Sequence, residues 1–156
     1  MHYWLFKSEP SCFSIDDLAR RPKKTEHWDG VRNYQVRNML RNEIKPGDQA
    51  FFYHSSCDIP GIVGCMQIVK AGYPDHTAFD PNSEHYDPLS TESNPRWYMV
   101  DVTFVEKFPR PISLTEIKKH PLLCDMLITK KGNRLSITPV TKAEWNVIYK
   151  LAHKKS

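Results

Sequence analysis

The sequence predicts an α+β fold, a small and mostly antiparallel β-barrel surrounded by helices. Three observations carry this. Short β-rich runs recur at intervals, with turn residues between them. Capping patterns for short helices stand between those runs and near the end of the chain. Twelve prolines against six glycines exclude one long uninterrupted helical bundle. Strands at intervals, with helices between them and at the ends, suit an antiparallel arrangement better than a parallel βαβ sheet.

The elements follow in order. His2–Lys7 is aromatic-rich and short, an opening strand. Ser14-Ile-Asp-Asp17 caps a short helix through Leu18. Arg20–Lys24 is basic and broken by Pro22, which reads as a loop. Val36, Met39, Leu40 and Ile44 recur at helical spacing, so one helix covers Tyr34–Ile44 until Pro46-Gly47 stops it. Ala50–Tyr53 and Ile62–Val69 are strands separated by a Pro60-Gly61 turn.

Residues 74–95 hold four prolines, several acidic residues and few aliphatics, a long loop of the kind that is usually functional or mobile. Trp97–Phe108 is a long strand, with Tyr98, Val100, Val102 and Phe104 on one face. Ser113-x-x-Glu116 starts a helix ended by Pro121. Thr141-x-x-Glu144 starts the last one, with Trp145, Ile148, Tyr149 and Ala152 on one side. No repeat or clear linker divides the 156 residues, so one domain spans 1–156.

Composition narrows the function classes. Apolar residues at 40% and charged residues at 26% describe a globular chain. There is no transmembrane run and no secretory signal pattern. Cys12, Cys57, Cys65 and Cys124 include no Cys-x-x-Cys pair, which argues against a zinc finger or thioredoxin motif. They read as reduced thiols of an intracellular, cytoplasmic protein. No metal and no cofactor is implied, and a monomer is expected. The net charge of +4 is uneven: +2 over residues 1–50, −4 over 51–100 and +6 over 101–156. That split is compatible with a nucleic-acid partner, and equally with a solvated surface ending in a basic tail at Lys154 and Lys155.

Four polar clusters stand where regular elements end. They are Lys7-Ser8-Glu9, Trp28 through Asn38, Tyr53-His54-Ser55-Ser56, and Asn133-Arg134-Leu135-Ser136. The second is densest. An aromatic ring to stack on an unpaired base, with amides and guanidinium groups to read its edge, is the mixture that base recognition needs. The alternative is that Trp28 and Tyr34 are core aromatics with polar caps. Trp28, set among polar residues, is expected to bind ligand and to be removable with little cost to folding. Catalysis has thinner support. Lys7 with Glu9 is an acid–base candidate, but His54 and Ser55 point to opposite faces if the strand runs through them. There is no Gly-x-Ser-x-Gly elbow and no phosphate-cradling glycine loop.

Taken together, Tyr3–Pro10, Trp28–Asn38, Gly47-Asp48 leading to Phe52–Ser55, Pro60–Gly64, Tyr73-Pro-Asp75, Trp97 with Val100–Val102, and Leu135-Ser136 with Pro139-Val140 resemble the EVE domain family. The ordered set covers nearly the whole chain. The resemblance implies a PUA-like fold related to YTH domains, and a non-catalytic reader of a modified base, either modified cytosine in DNA or modified RNA. By position it puts Trp28 and Tyr34 at aromatic places around the pocket. Lys7, Ser8, Glu9, Asn33, Gln35, Tyr53, His54 and Ser55 face or border it, with Leu135 and Ser136 beside them. Arg32, Arg37, Asn38 and Arg134 are assigned to the helix start or the nucleic-acid backbone. The family's small residue after Gln35 is Val36 here. Two other readings stand beside this one: an enzyme acting on a nucleotide through His54, Glu9 or Lys7, and a scaffold binding a small molecule or peptide.

Overall fold

The computed structural model describes residues 1–154, so Lys155 of the expected basic tail lies outside the described residues. Along the chain run β1 (Tyr3–Ser8), α1 (Ile15–Arg20), β2 (Thr25–Trp28), α2 (Tyr34–Asn38), β3 (Gln49–His54), β4 (Gly61–Pro74), β5 (Tyr98–Ser113), α3 (Leu114–Lys119), β6 (Ile137–Val140) and α4 (Lys142–His153). The strands make one sheet in the order β2-β5-β4-β3-β1-β6. Only β1 and β3 pair in parallel, with Phe6 opposite Phe52.

The α+β, mostly antiparallel architecture is thus present, but the sheet is open rather than closed into a barrel. Its outer strands, β2 and β6, are four residues each and pair with one neighbour each. The long β4–β5 ladder slips register four times, which bends the sheet without bringing its edges together. Both outer strands escape the sequence pattern. Thr25-Glu26-His27 has no apolar alternation, and Pro139 is tolerated in β6 because that strand has a free edge.

Side-chain alternation gives the sheet two apolar faces. Trp4, Phe6, Ala50, Phe52, Met66, Ile68, Val100 and Val102 pack under α1 and α2. Leu5, Phe51, Tyr53, Ile62, Phe108 and Ile112 pack under α3 and α4. Gly64 lets the Ile15 side chain of α1 lie directly on the sheet: a Cβ there would collide with that side chain and with the Glu106 carbonyl. Asp48, from the Gly47-Asp48 motif, is buried and accepts from Trp4 Nε1 (3.0 Å), His2 N (3.0 Å) and Lys45 N (3.0 Å), tying the turn before β3 to the start of β1.

The caps fall where the sequence placed them, with one difference. Ser14 and Thr141 make reciprocal capping boxes. Ser113 caps Glu116 N, but the Glu116 carboxylate turns away to a bidentate pair with Arg110 (2.8 and 3.0 Å). Tyr34–Ile44 is not one α-helix. After Asn38 the chain loosens into a π-helical turn, Met39–Glu43, closed by Ile44 N donating to Met39 O (2.9 Å).

Trp28 corrects an expectation. It is only 9% exposed, with Phe6, Phe13 and Phe52 set edge-on around it at 5.2, 6.1 and 5.5 Å. It is a core residue with one edge in the pocket, so its removal also empties a packed site.

Candidate functional site

A cavity of about 560 Å³ opens on the α1 side of the sheet, within the range of small-molecule sites. The C-terminal end of β1 supplies Lys7 and Ser8, β2 supplies Glu26, His27 and Trp28, and Phe13 stands before α1. Ser136 precedes β6 and accepts a backbone bond from Lys7 N (2.8 Å), so the first and last strands bring their polar ends to the same wall.

The opposite wall comes from the long acidic loop, and one carboxylate holds it there. Asp75 is fully buried and accepts from Gly30 N (2.8 Å), Arg32 Nη1 (3.1 Å), Thr77 N (2.9 Å) and the Thr77 hydroxyl. Burial alone would raise its pKa. The bonds from Thr77, Gly30 and Arg32 outweigh that and hold the carboxyl below its ordinary value. Arg32 Nη2 reaches the His85 carbonyl (2.6 Å), and its guanidinium lies over Trp97 at 5.3 Å. Trp97 Nε1 donates to Asp87 (2.7 Å), and Asp75 N donates to Trp97 O (2.9 Å), closing the loop at its base. This lays His85 and Glu84 over the cavity. Gly30 has φ +75°, and a Cβ there would come within 2.7 Å of the His85 ring, so this glycine is needed both for its backbone and for the contact.

The charge pattern is mixed. Arg21 pairs with Glu26 (2.7 Å), His27 stands between Glu26 (3.0 Å) and Asp29 (3.5 Å), and His85 lies 3.8 Å from Asp29. Lys7 has no carboxylate partner among the described residues, and burial lowers its pKa. It is the one cation of the wall whose donors are unclaimed by protein.

Of the expected pocket residues, Lys7, Ser8, Trp28 and Ser136 line this cavity together, and Arg32 borders it. Others lie elsewhere for definite reasons. Tyr53 packs on the opposite face of the sheet, under α3 and α4, where burial pushes its hydroxyl up to about 12. His54 Nε2 accepts from Ile15 N (3.2 Å), serving the start of α1, and Ser55 N continues the strand pairing to Ser8 O (3.0 Å). Glu9 is exposed and makes no pair with Lys7. Asn33 caps α2 through Val36 N (3.0 Å), and Leu135 packs against the core. Gln35 is exposed on α2.

Tyr34 is half exposed and stacks on Trp97 at 4.8 Å, outside the cavity. Among the residues assigned to backbone contact, Arg32 is spent on Asp75 and His85. Arg37 lies over Tyr34 (4.9 Å) and donates to Arg96 O (3.0 Å) and to Asn38 Oδ1 (2.9 Å). Arg134 is exposed. Asp29 belongs to the Trp28–Asn38 cluster, whereas Phe13, Arg21, Glu26, His27, Glu84 and His85 lie outside the four sequence clusters. The last two reach the site only because Asp75 and Arg32 fold a distant loop back, and adjacency in sequence carries no sign of that.

The chain is similar to known proteins over nearly its whole length. The EVE domain model matches residues 2–151. Thymocyte nuclear protein 1 of Homo sapiens is 48% identical, over 98% of this chain and 75% of its own length. A crystal structure of human THYN1 protein in complex with 5-methylcytosine-containing DNA superposes with a TM-score of 0.93 at 47% identity, covering 100% of both chains. A protein from Pseudomonas putida superposes at 0.91 with 48% identity, over 96% of this chain and 99% of its own.

Proposed function

The chain belongs to the EVE domain family, and from that premise we propose that it is a non-catalytic nucleic-acid reader that takes one modified base into the Trp28 cavity. The ligand class follows the DNA containing 5-methylcytosine held by the human THYN1 protein. The single observation that carries the assignment to this cavity is its lining. An indole edge and the Phe13 ring stand beside Lys7, Ser8 and Ser136, apolar surface next to polar groups at the scale of one base.

On this reading Phe13 and Trp28 give the base its apolar contact, Lys7 donates to a carbonyl of its edge, and Ser8 and Ser136 complete that edge. Ser8 Oγ already donates to Phe13 O, which leaves its lone pairs to accept from an exocyclic amino group. His85 and Glu84 form the outer lip. Tyr34, stacked on Trp97, offers a half-exposed ring to a neighbouring base, and Arg134 offers charge to the backbone. One domain over 1–156 acting as a monomer inside the cell is sufficient for this activity. The His54–Ser55 pair gives turnover no support: His54 Nε2 is engaged at the start of α1, and neither residue lines the cavity.

The test is capture of nucleic acid by the protein in its own cell, followed by nucleoside mass spectrometry. Enrichment of one modified nucleoside, recovered chemically unchanged, supports the reader. A new product that disappears in Glu9→Gln or His54→Ala would establish an enzyme instead.

A further inference from the structure

We infer that the turn Arg20–Lys24 is a phosphate-binding site for the strand whose base enters the cavity, an inference that rests on the base-reader reading above. The turn sits at the cavity's edge, since Arg21 is part of the wall. It precedes β2, the outermost strand on that side of the sheet, so no further strand covers it. Four of its five residues are cationic. Arg20 is bound to Asp17 (2.9 Å) and Arg21 to Glu26 (2.7 Å). Lys23 and Lys24 are exposed and have no carboxylate partner among the described residues.

The backbone is specialised as well. Lys23 and Lys24 both take left-handed conformations, φ 55° and 54°, where glycine or asparagine would be favoured. The turn is fixed by Thr25 Oγ1 donating to Lys23 O (3.0 Å), by Lys24 N donating to Arg21 O (2.7 Å), and by the Lys24 ammonium lying over Phe104 (5.5 Å). The backbone of the turn is thereby fixed, with the Lys24 ammonium anchored on Phe104 and the neighbouring Lys23 exposed, and neither is paired with a carboxylate among the described residues.

The rest of the rim directs the strand toward this turn. On the lip, Glu84 is 88% exposed and the His85 ring lies between it (3.7 Å) and Asp29 (3.8 Å), so two carboxylates stand there and disfavour a phosphate. A base seated in the cavity thus has its flanking phosphodiesters on the Lys23–Lys24 side. Backbone contacts of this kind add affinity without sequence information.

The salt dependence of binding reads this directly. Single-stranded DNA oligonucleotides, with and without one 5-methylcytosine, are titrated at several salt concentrations. The proteins are wild type, Lys23→Gln/Lys24→Gln, Lys23→Gly/Lys24→Gly and Lys23→Arg/Lys24→Arg. Glycine accepts the positive φ, so the second variant keeps its fold while losing both charges. Each lost phosphate contact lowers the slope of log K against log salt by about 0.7 on a single strand, so both neutral variants should lose about 1.4. The arginine variant should keep the wild-type slope, as should a Lys118→Gln/Lys119→Gln control on α3.

Wild-type slopes in both neutral variants, or an equal drop in the α3 control, overturn the inference. The base reading is judged separately, by the wild-type affinity ratio for methylated over unmethylated oligonucleotide. A ratio of one ends that reading while a slope change still upholds the turn. Failure of wild type to bind either oligonucleotide ends both.

Discussion

Trp28 shows how one residue serves both the fold and the site. Its ring is enclosed edge-on by Phe6, Phe13 and Phe52, and only an edge reaches the cavity. Trp28→Ala should therefore cost about 3–5 kcal/mol of stability, as large-to-small changes in packed cores do, in addition to its effect on binding. Trp28→Phe keeps apolar volume and should separate the two, with a smaller fall in melting temperature and a clear loss of affinity. Equal binding by wild type and Trp28→Phe would show that the indole edge contributes nothing to the ligand. His54 makes a second residue-scale prediction. Burial depresses its pKa, and its neutral ring accepts from Ile15 N. Above about pH 6.5 the ring is neutral in both the folded and the unfolded chain, and its contribution is complete. As pH falls below that value the unfolded chain takes up the proton first, so stability declines until the folded pKa is passed. His54→Gln retains an acceptor without the titration and should flatten that decline. Chemical denaturation between pH 5 and 7.5 measures it.

At the scale of elements, what was legible followed from local chemistry. Ser14, Ser113 and Thr141 each sit three residues before an acidic partner, and each starts a helix. Alternation at Tyr98–Phe104 placed β5, because a buried face repeats every second residue. β2 and β6 were not legible, since short outer strands are held by the neighbour's backbone and need no pattern of their own. The site divides in the same way. Lys7, Ser8 and Trp28 lie in contiguous motifs, whereas His85 and Glu84 arrive through a clamp between Asp75 and Arg32, 43 residues apart in sequence. Arg32→Ala tests the clamp. It leaves Asp75 buried with the Gly30 and Thr77 bonds alone, and breaking a buried pair costs about 3–5 kcal/mol, here at the lower end because those bonds persist. The 75–97 loop should exchange its amide hydrogens faster while β3 and β4 retain theirs. Uniform loss of protection would mean that the arginine supports the whole fold rather than this loop.

At the scale of the whole molecule the two faces of the sheet differ in what they carry. One face of the sheet is filled by α3 and α4, and the other carries α1, α2, the folded-back loop and the cavity. On the proposed reading the base enters this cavity, and a base inside a duplex must first leave its stack to do so. Extrusion costs a few kcal/mol from a paired stack and least from an unpaired strand. A full aromatic platform would recover about 1–3 kcal/mol by stacking, but an indole 9% exposed offers only an edge. The balance has to come from Phe13 and from hydrogen bonds to Lys7, Ser8 and Ser136. Single-stranded oligonucleotides should therefore bind at least tenfold more tightly than the matched duplex at one salt concentration. Within single strands a buried methyl adds about 0.8 kcal/mol, a preference of about fourfold. A larger preference would require a modification that brings an acceptor to a pocket donor, which the unmodified base then leaves unpaired, and Lys7→Met should abolish that excess while leaving the fourfold methyl term. Titration of the four matched ligands against wild type and Lys7→Met decides among these outcomes. Duplex binding equal to single-strand binding would show that the cavity is not where the base goes.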